Sequence, residues 1–108
     1  MSTTIFAALG KDFEETVVFM NNNCTIKNLT GFTSNIKVSK FYNSSPVITI
    51  TGIVQSPATS GAVKYTAPKE LLSVLGYGSF FYTRYLYDDK GKVDSLVSGN
   101  FIITPSVL

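Results

Sequence analysis

The chain has no histidine, no tryptophan and a single cysteine among its 108 residues. Without histidine it lacks the commonest general base near neutral pH and the commonest metal ligand. One thiol, Cys24, cannot close an internal disulfide or build a thiolate cluster. It follows Asn21, Asn22 and Asn23 in a polar turn with no base to activate it, so a nucleophilic role is not expected. Charge is also scarce, at 15% of residues, with nine basic and seven acidic side chains. Lys11, Lys27, Lys37, Lys40, Lys64, Lys69, Arg84, Lys90 and Lys92 are scattered, and no two are adjacent. Phosphate backbones call for clustered cations, so no nucleic-acid partner is expected. Lys37, Lys40, Lys90 and Lys92 read as solvated strand edges and turn ends. No apolar run approaches the roughly 20 residues of a bilayer span. Met1 to Gly10 has neither the basic start nor the long apolar stretch of a signal peptide. These absences argue against acid–base catalysis, cofactor or metal chemistry, and a membrane partner.

What is present is 44% hydrophobic residues in short alternating runs. The length fits one domain, 1–108, with one core. Strands are predicted over Thr3–Leu9, Phe13–Met20, Phe32–Tyr42, Val47–Val54, Ala62–Ala67, Ser79–Asp88 and Lys92–Thr104, with Gly99 as a bulge. In the third, Phe32, Ile36 and Val38 share one face and Thr33, Asn35, Lys37 and Ser39 the other, the period of a half-buried strand. In the fourth, Ile48, Ile50 and Val54 oppose Thr49 and Thr51. Turn chemistry separates the strands at Gly10-Lys11-Asp12, the Asn21–Asn23 run, Asn28-Leu29-Thr30-Gly31, Asn43-Ser44-Ser45-Pro46 and Asp88-Asp89-Lys90-Gly91. Gln55–Gly61 is a small-residue loop. Pro68–Gly76 carries the one helical signal, with proline at its start and glycine past its end. The spacing predicts an all-β fold, an antiparallel β-sandwich of about seven strands with one short connecting helix.

Few short motifs survive a physical test. Gly76-Tyr77-Gly78 before Phe80, Phe81 and Tyr82 echoes an RNA-binding aromatic signature, but it lacks the leading basic residue and the two full helices of that fold. The same stretch echoes a potassium-channel filter without a membrane span around it. Asp88, Asp89 and Asp94 form the only acidic grouping that suggests a calcium site, yet no Asp-x-Asp-x-Asp loop is present and a solvated hairpin explains them. Glu14 and Glu15 are adjacent in a strand and point to opposite faces, so they cannot act as a catalytic pair. No serine has a histidine to activate it. Asn23-Cys24-Thr25, Asn28-Leu29-Thr30 and Asn43-Ser44-Ser45 fit the N-x-S/T pattern and read as asparagines in turns.

One strand exceeds what a core needs. Phe80, Tyr82 and Leu86 share one parity, and Phe81, Tyr85 and Tyr87 share the other. A sheet with one wet face should alternate apolar and polar residues. Phe81, Tyr85 and Tyr87 are therefore the candidate interface, because a tyrosine joins a large apolar ring to a polar tip. The competing explanation is a central strand whose outer rings lie over their neighbours. Arg84 interrupts the inner parity, and the pattern supplies no reason for it.

The order of these elements resembles a known family. Leu75-Gly76-Tyr77-Gly78, Phe80 to Leu86, Asp88-Asp89-Lys90-Gly91, Leu96-Val97, Gly99, Phe101, Ile103 and Pro105-Ser106-Val107 resemble the Ig-like structural modules of tailed bacteriophage virions, such as the N-terminal module of baseplate upper proteins. Asn28-Leu29-Thr30-Gly31 is similar to that pattern's "D-L-T-G" turn, with asparagine first. The resemblance implies an all-β sandwich that assembles with other virion proteins, in multiple copies or as a homo-oligomer. It implies no enzyme activity and no cofactor. The expected function is thus that of a tail, baseplate or neck component, made in the host cytoplasm and packaged into the virion. A capsid-surface decoration or head fibre is the alternative within assembly. A carbohydrate-binding adhesion module, with tyrosines stacked on a glycan, is the alternative of another class.

Overall fold

The computed structural model describes residues 3–21, 23–41 and 44–105. The Asn43 N-x-S/T site, the end of the expected 32–42 strand and the residues after Pro105 lie outside them. Among the described residues the fold is all-β, with strands β1 (Thr3–Ala8), β2 (Phe13–Val18), β3 (Thr33–Ser39), β4 (Ile48–Val54), β5 (Ala62–Ala67), β6 (Gly78–Tyr87) and β7 (Val93–Thr104). A short helix, α1 (Lys69–Ser73), links β5 to β6. A single 3-10 turn, Ala58–Ser60, lies in the loop after β4.

The strands run in the order β1-β7-β6-β3-β4-β5-β2. In a flat sheet β7 and β2 would lie roughly 24 Å apart, five spacings of about 4.8 Å. Yet the rings of Phe101 on β7 and Phe13 on β2 have centroids 5.7 Å apart. The sheet is therefore folded over itself into two layers. The crease is in β4: Ile48–Gly52 pairs with β3, and Gly52–Val54 pairs with β5. Such a strand passes from one layer to the other and makes the corner of a sandwich. Gly52 is the shared residue. A Cβ there would meet Tyr65 Cε1 at 2.6 Å and Val63 Cγ1 at 2.7 Å, so the corner closes only around glycine.

The inward parities fill the space between the layers. Ile36, Val38, Ile50, Val63, Tyr65, Tyr82, Leu86, Phe101 and Ile103 are all buried. Arg84 is buried among them at 9% exposure. It crosses the layers to form an ion pair with Glu15 on β2, and its guanidinium lies 5.1 Å from the Tyr65 ring and 5.8 Å from the Tyr82 ring. That accounts for the cation which the sequence pattern leaves unexplained. Glu15 points in and Glu14 points out, where Glu14 pairs with Lys64 at 3.3 Å.

Three sequence expectations need correction. The sandwich is not wholly antiparallel, because β1 pairs parallel with β7, Thr3 opposite Gly99 through Ala8 opposite Thr104. A two-residue period reports burial but not strand direction. Gly99 is not a bulge; it pairs regularly with both Thr3 and Tyr82. The irregularity lies between Leu86 and Tyr87, which face Ser95 and Val93 and leave Asp94 over. Finally, the helix is five residues rather than the eight from Pro68 to Leu75. Asp12 Oδ1 accepts the Lys69 N–H at 2.8 Å and fixes its start, and Gly76 with φ 74° takes the chain out of the turn that follows.

Candidate functional site

Strand β6 is central, with β7 on one side and β3 on the other, and its register places three rows of side chains across the outer face. Phe81 lies between Asn100 and Ser39, Thr83 between Ser98 and Lys37, and Tyr85 between Leu96 and Asn35. The candidate residues Phe81, Tyr85 and Tyr87 all fall on this outer parity. Phe81 is 37% exposed, while Tyr85 and Tyr87 are half-buried. The two tyrosine rings stack, with centroids 5.8 Å apart and planes 13° apart. Part of the competing explanation is thus correct, since the tyrosines cover each other. The structure does not bring all three together in one depression. A groove of about 460 Å³ includes Phe81 and Tyr85 in its wall, and Tyr87 lies outside it.

Ser44 and Pro46, which precede β4, are part of the lining of this groove. Its remaining lining includes Lys37, Ser39, Ser98 and Asn100. The Lys37 ammonium stands 5.2 Å from the centroid of the Tyr85 ring. The expectation that Lys37 marks a solvated strand edge is wrong. β3 lies between β6 and β4, and Lys37 is half-buried at the middle of the sheet. Among the described residues no carboxylate pairs with it, whereas Lys27 pairs with Asp94 at 3.2 Å and Lys64 with Glu14 at 3.3 Å. The alternation in 33–39 does place Lys37 and Ser39 on the wet face. The groove was not legible, because it depends on which strand lies beside which.

Other candidates resolve into turn chemistry. Asp88 Oδ1 accepts the N–H groups of Lys90 and Lys92, each at 2.9 Å, and Asp94 is held by Lys27. Among the described residues no group of three or more His, Cys, Asp or Glu is placed to hold a metal ion. Asn23 Oδ1 accepts from the Thr25 hydroxyl at 2.6 Å, and Asn28 Oδ1 from the Thr30 hydroxyl at 2.6 Å, so both asparagines tie their own turns. Cys24 is exposed with φ 67° in the first of these turns. The Tyr65 hydroxyl bonds Ser34 Oγ at 2.6 Å inside the core. Burial pushes its pKa up from 10.0, the Ser34 hydrogen bond and the Arg84 guanidinium oppose that rise, and the Glu15 carboxylate adds to it. Tyr65 faces no groove and serves the core.

The outer face offers the rings of Phe81, Tyr85 and Tyr87, the hydroxyls of Ser39, Thr83 and Ser98, the amides of Asn35 and Asn100 and the Lys37 ammonium. A scan against protein-family models finds no match for this chain, and a search of curated proteins finds none either.

Proposed function

We propose that the chain is a non-enzymatic Ig-like assembly module of a tailed-phage virion, in the tail, baseplate or neck, that docks on other virion proteins through the outer face of β6. The observation that carries this reading is the aromatic outer parity. The core is already closed by the inward side chains, yet Phe81, Tyr85 and Tyr87 remain at least partly open to solvent on a face flanked by Ser, Thr and Asn. Aromatic rings amid few charges are the mark of an interface centre. The strand order, with the first strand parallel to the last, also suits an Ig-like module.

The test is Tyr85→Asp. The new carboxylate falls beside Lys37, so the fold tolerates it while the ring is lost from the face. The expected result is a folded protein missing from purified virions by mass-spectrometric copy number. Normal incorporation of the folded variant refutes docking through this face. Separating heads from tails distinguishes a tail component from a capsid decoration or head fibre. A second reading, glycan adhesion, draws on the hydroxyl and amide lining of the groove. Binding on a glycan array that is lost in Tyr85→Asp would favour it.

A further inference from the structure

We infer that the docking partner is a different protein chain that inserts an aspartate or glutamate side chain into the groove between β3 and β6, against Lys37. This rests on the assembly reading above and names the chemistry of its partner. Lys37 is half-buried on a central strand, and among the described residues it has no carboxylate. The other cations that lie over a core or a strand, Lys27, Lys64 and Arg84, each have one. The Tyr85 ring beneath the Lys37 ammonium offsets part of its desolvation through its quadrupole but does not neutralise it. A carboxylate entering the groove would meet the ammonium, with the Asn100 amide in the same lining as a further hydrogen-bond donor.

The charge pattern selects between occupants. A second copy presenting the same face would bring another Lys37, flanked by Thr49, Thr83 and Ser98, and no carboxylate. Like charges set face to face oppose such a pairing. A small acidic saccharide would fill the groove but leave Phe6 and Leu96 bare. These residues lie on the same outward face, Phe6 on the row of Ile102 and Ser79 beyond the groove and Leu96 next to Tyr85, at 65% and 56% exposure. A protein footprint covers all three positions.

Zero-length carbodiimide coupling of purified virions, read by mass spectrometry, tests this. The reagent joins an amine to a carboxylate only where the two touch. The expected result is a Lys37 amide to an Asp or Glu of another virion protein, with Lys37→Arg still incorporated and Lys37→Glu lost from particles. If the protein is present in virions and Lys37 forms no such link, the acidic partner is wrong and the assembly reading stands. A link from Lys37 to this chain's own carboxylates overturns the inference in favour of a second copy. If the protein is absent from virions, the assembly reading fails and the inference falls with it.

Discussion

Replacing Glu15 by glutamine strands Arg84 inside the sandwich. The Arg84 side chain is 10% exposed and that of Glu15 29%. Breaking a fully buried pair by removing one partner costs about 3–5 kcal/mol. Here the cost is lower for two reasons. Glu15 reaches partly to solvent, and the guanidinium keeps its positions near Tyr65 and Tyr82, cation–π contacts of about 1 kcal/mol each. The expected loss for Glu15→Gln is therefore about 2 kcal/mol, or roughly 8 °C in Tm for a domain near this size. Restoring neutrality on both sides, with Glu15→Leu and Arg84→Met together, should return stability to within about 1 kcal/mol of the parent. Urea unfolding of the parent, both single variants and the double variant closes a cycle, with a coupling energy of about 1.5 kcal/mol or more expected. A Glu15→Gln change below about 0.5 kcal/mol, the size of an ordinary surface substitution, refutes the claim that this pair ties β2 to β6.

Other outcomes follow from single positions. Gly52→Ala places a methyl against Tyr65 and Val63 at the sheet corner. It should cost about 1–3 kcal/mol in denaturant unfolding, and no loss would mean the corner has slack. Tyr65 holds its proton more tightly in the fold than in the unfolded chain. Its contribution is therefore intact below pH about 10 and declines as pH rises above that value. Tyr65→Phe should flatten that part of the stability profile while costing about 1 kcal/mol at pH 7 for the lost bond to Ser34; an unchanged alkaline slope contradicts the assignment. Asp12→Ala removes the acceptor for the Lys69 N–H and should cost about 1 kcal/mol, read as a lower unfolding midpoint.

The alternation of Phe32–Ser39 and of Ile48–Val54 was plain in the sequence because burial on one face of a strand writes itself as a period of two. The inner and outer parities of β6 were legible for the same reason, and so was Glu15 facing opposite to Glu14. What the chain could not disclose is whatever depends on partners far along it. Arg84 and Glu15 are 69 residues apart, and Asp12 and Lys69 are 57 apart. Nothing in the local sequence gives Gly52 a role, and only the approach of Tyr65 and Val63 supplies one. Lys37 looked like an edge residue because nothing local says that β4 pairs on its far side. The aromatic residues of the candidate face were legible by composition, but the groove beside them required knowing that Ser98 and Asn100 of β7 lie across from β3.

The parallel pairing of β1 with β7 has a mechanical consequence. Because the two strands run in the same direction, tension applied at Thr3 and at Thr104 pulls them past each other along their length. All six register pairs from Thr3–Gly99 to Ala8–Thr104 then resist together. An antiparallel terminal pair loaded across its ladder would open one rung at a time. A module held at both ends thus meets stretching force with its strongest geometry, and its lifetime under load is set by the rate of that one concerted slip.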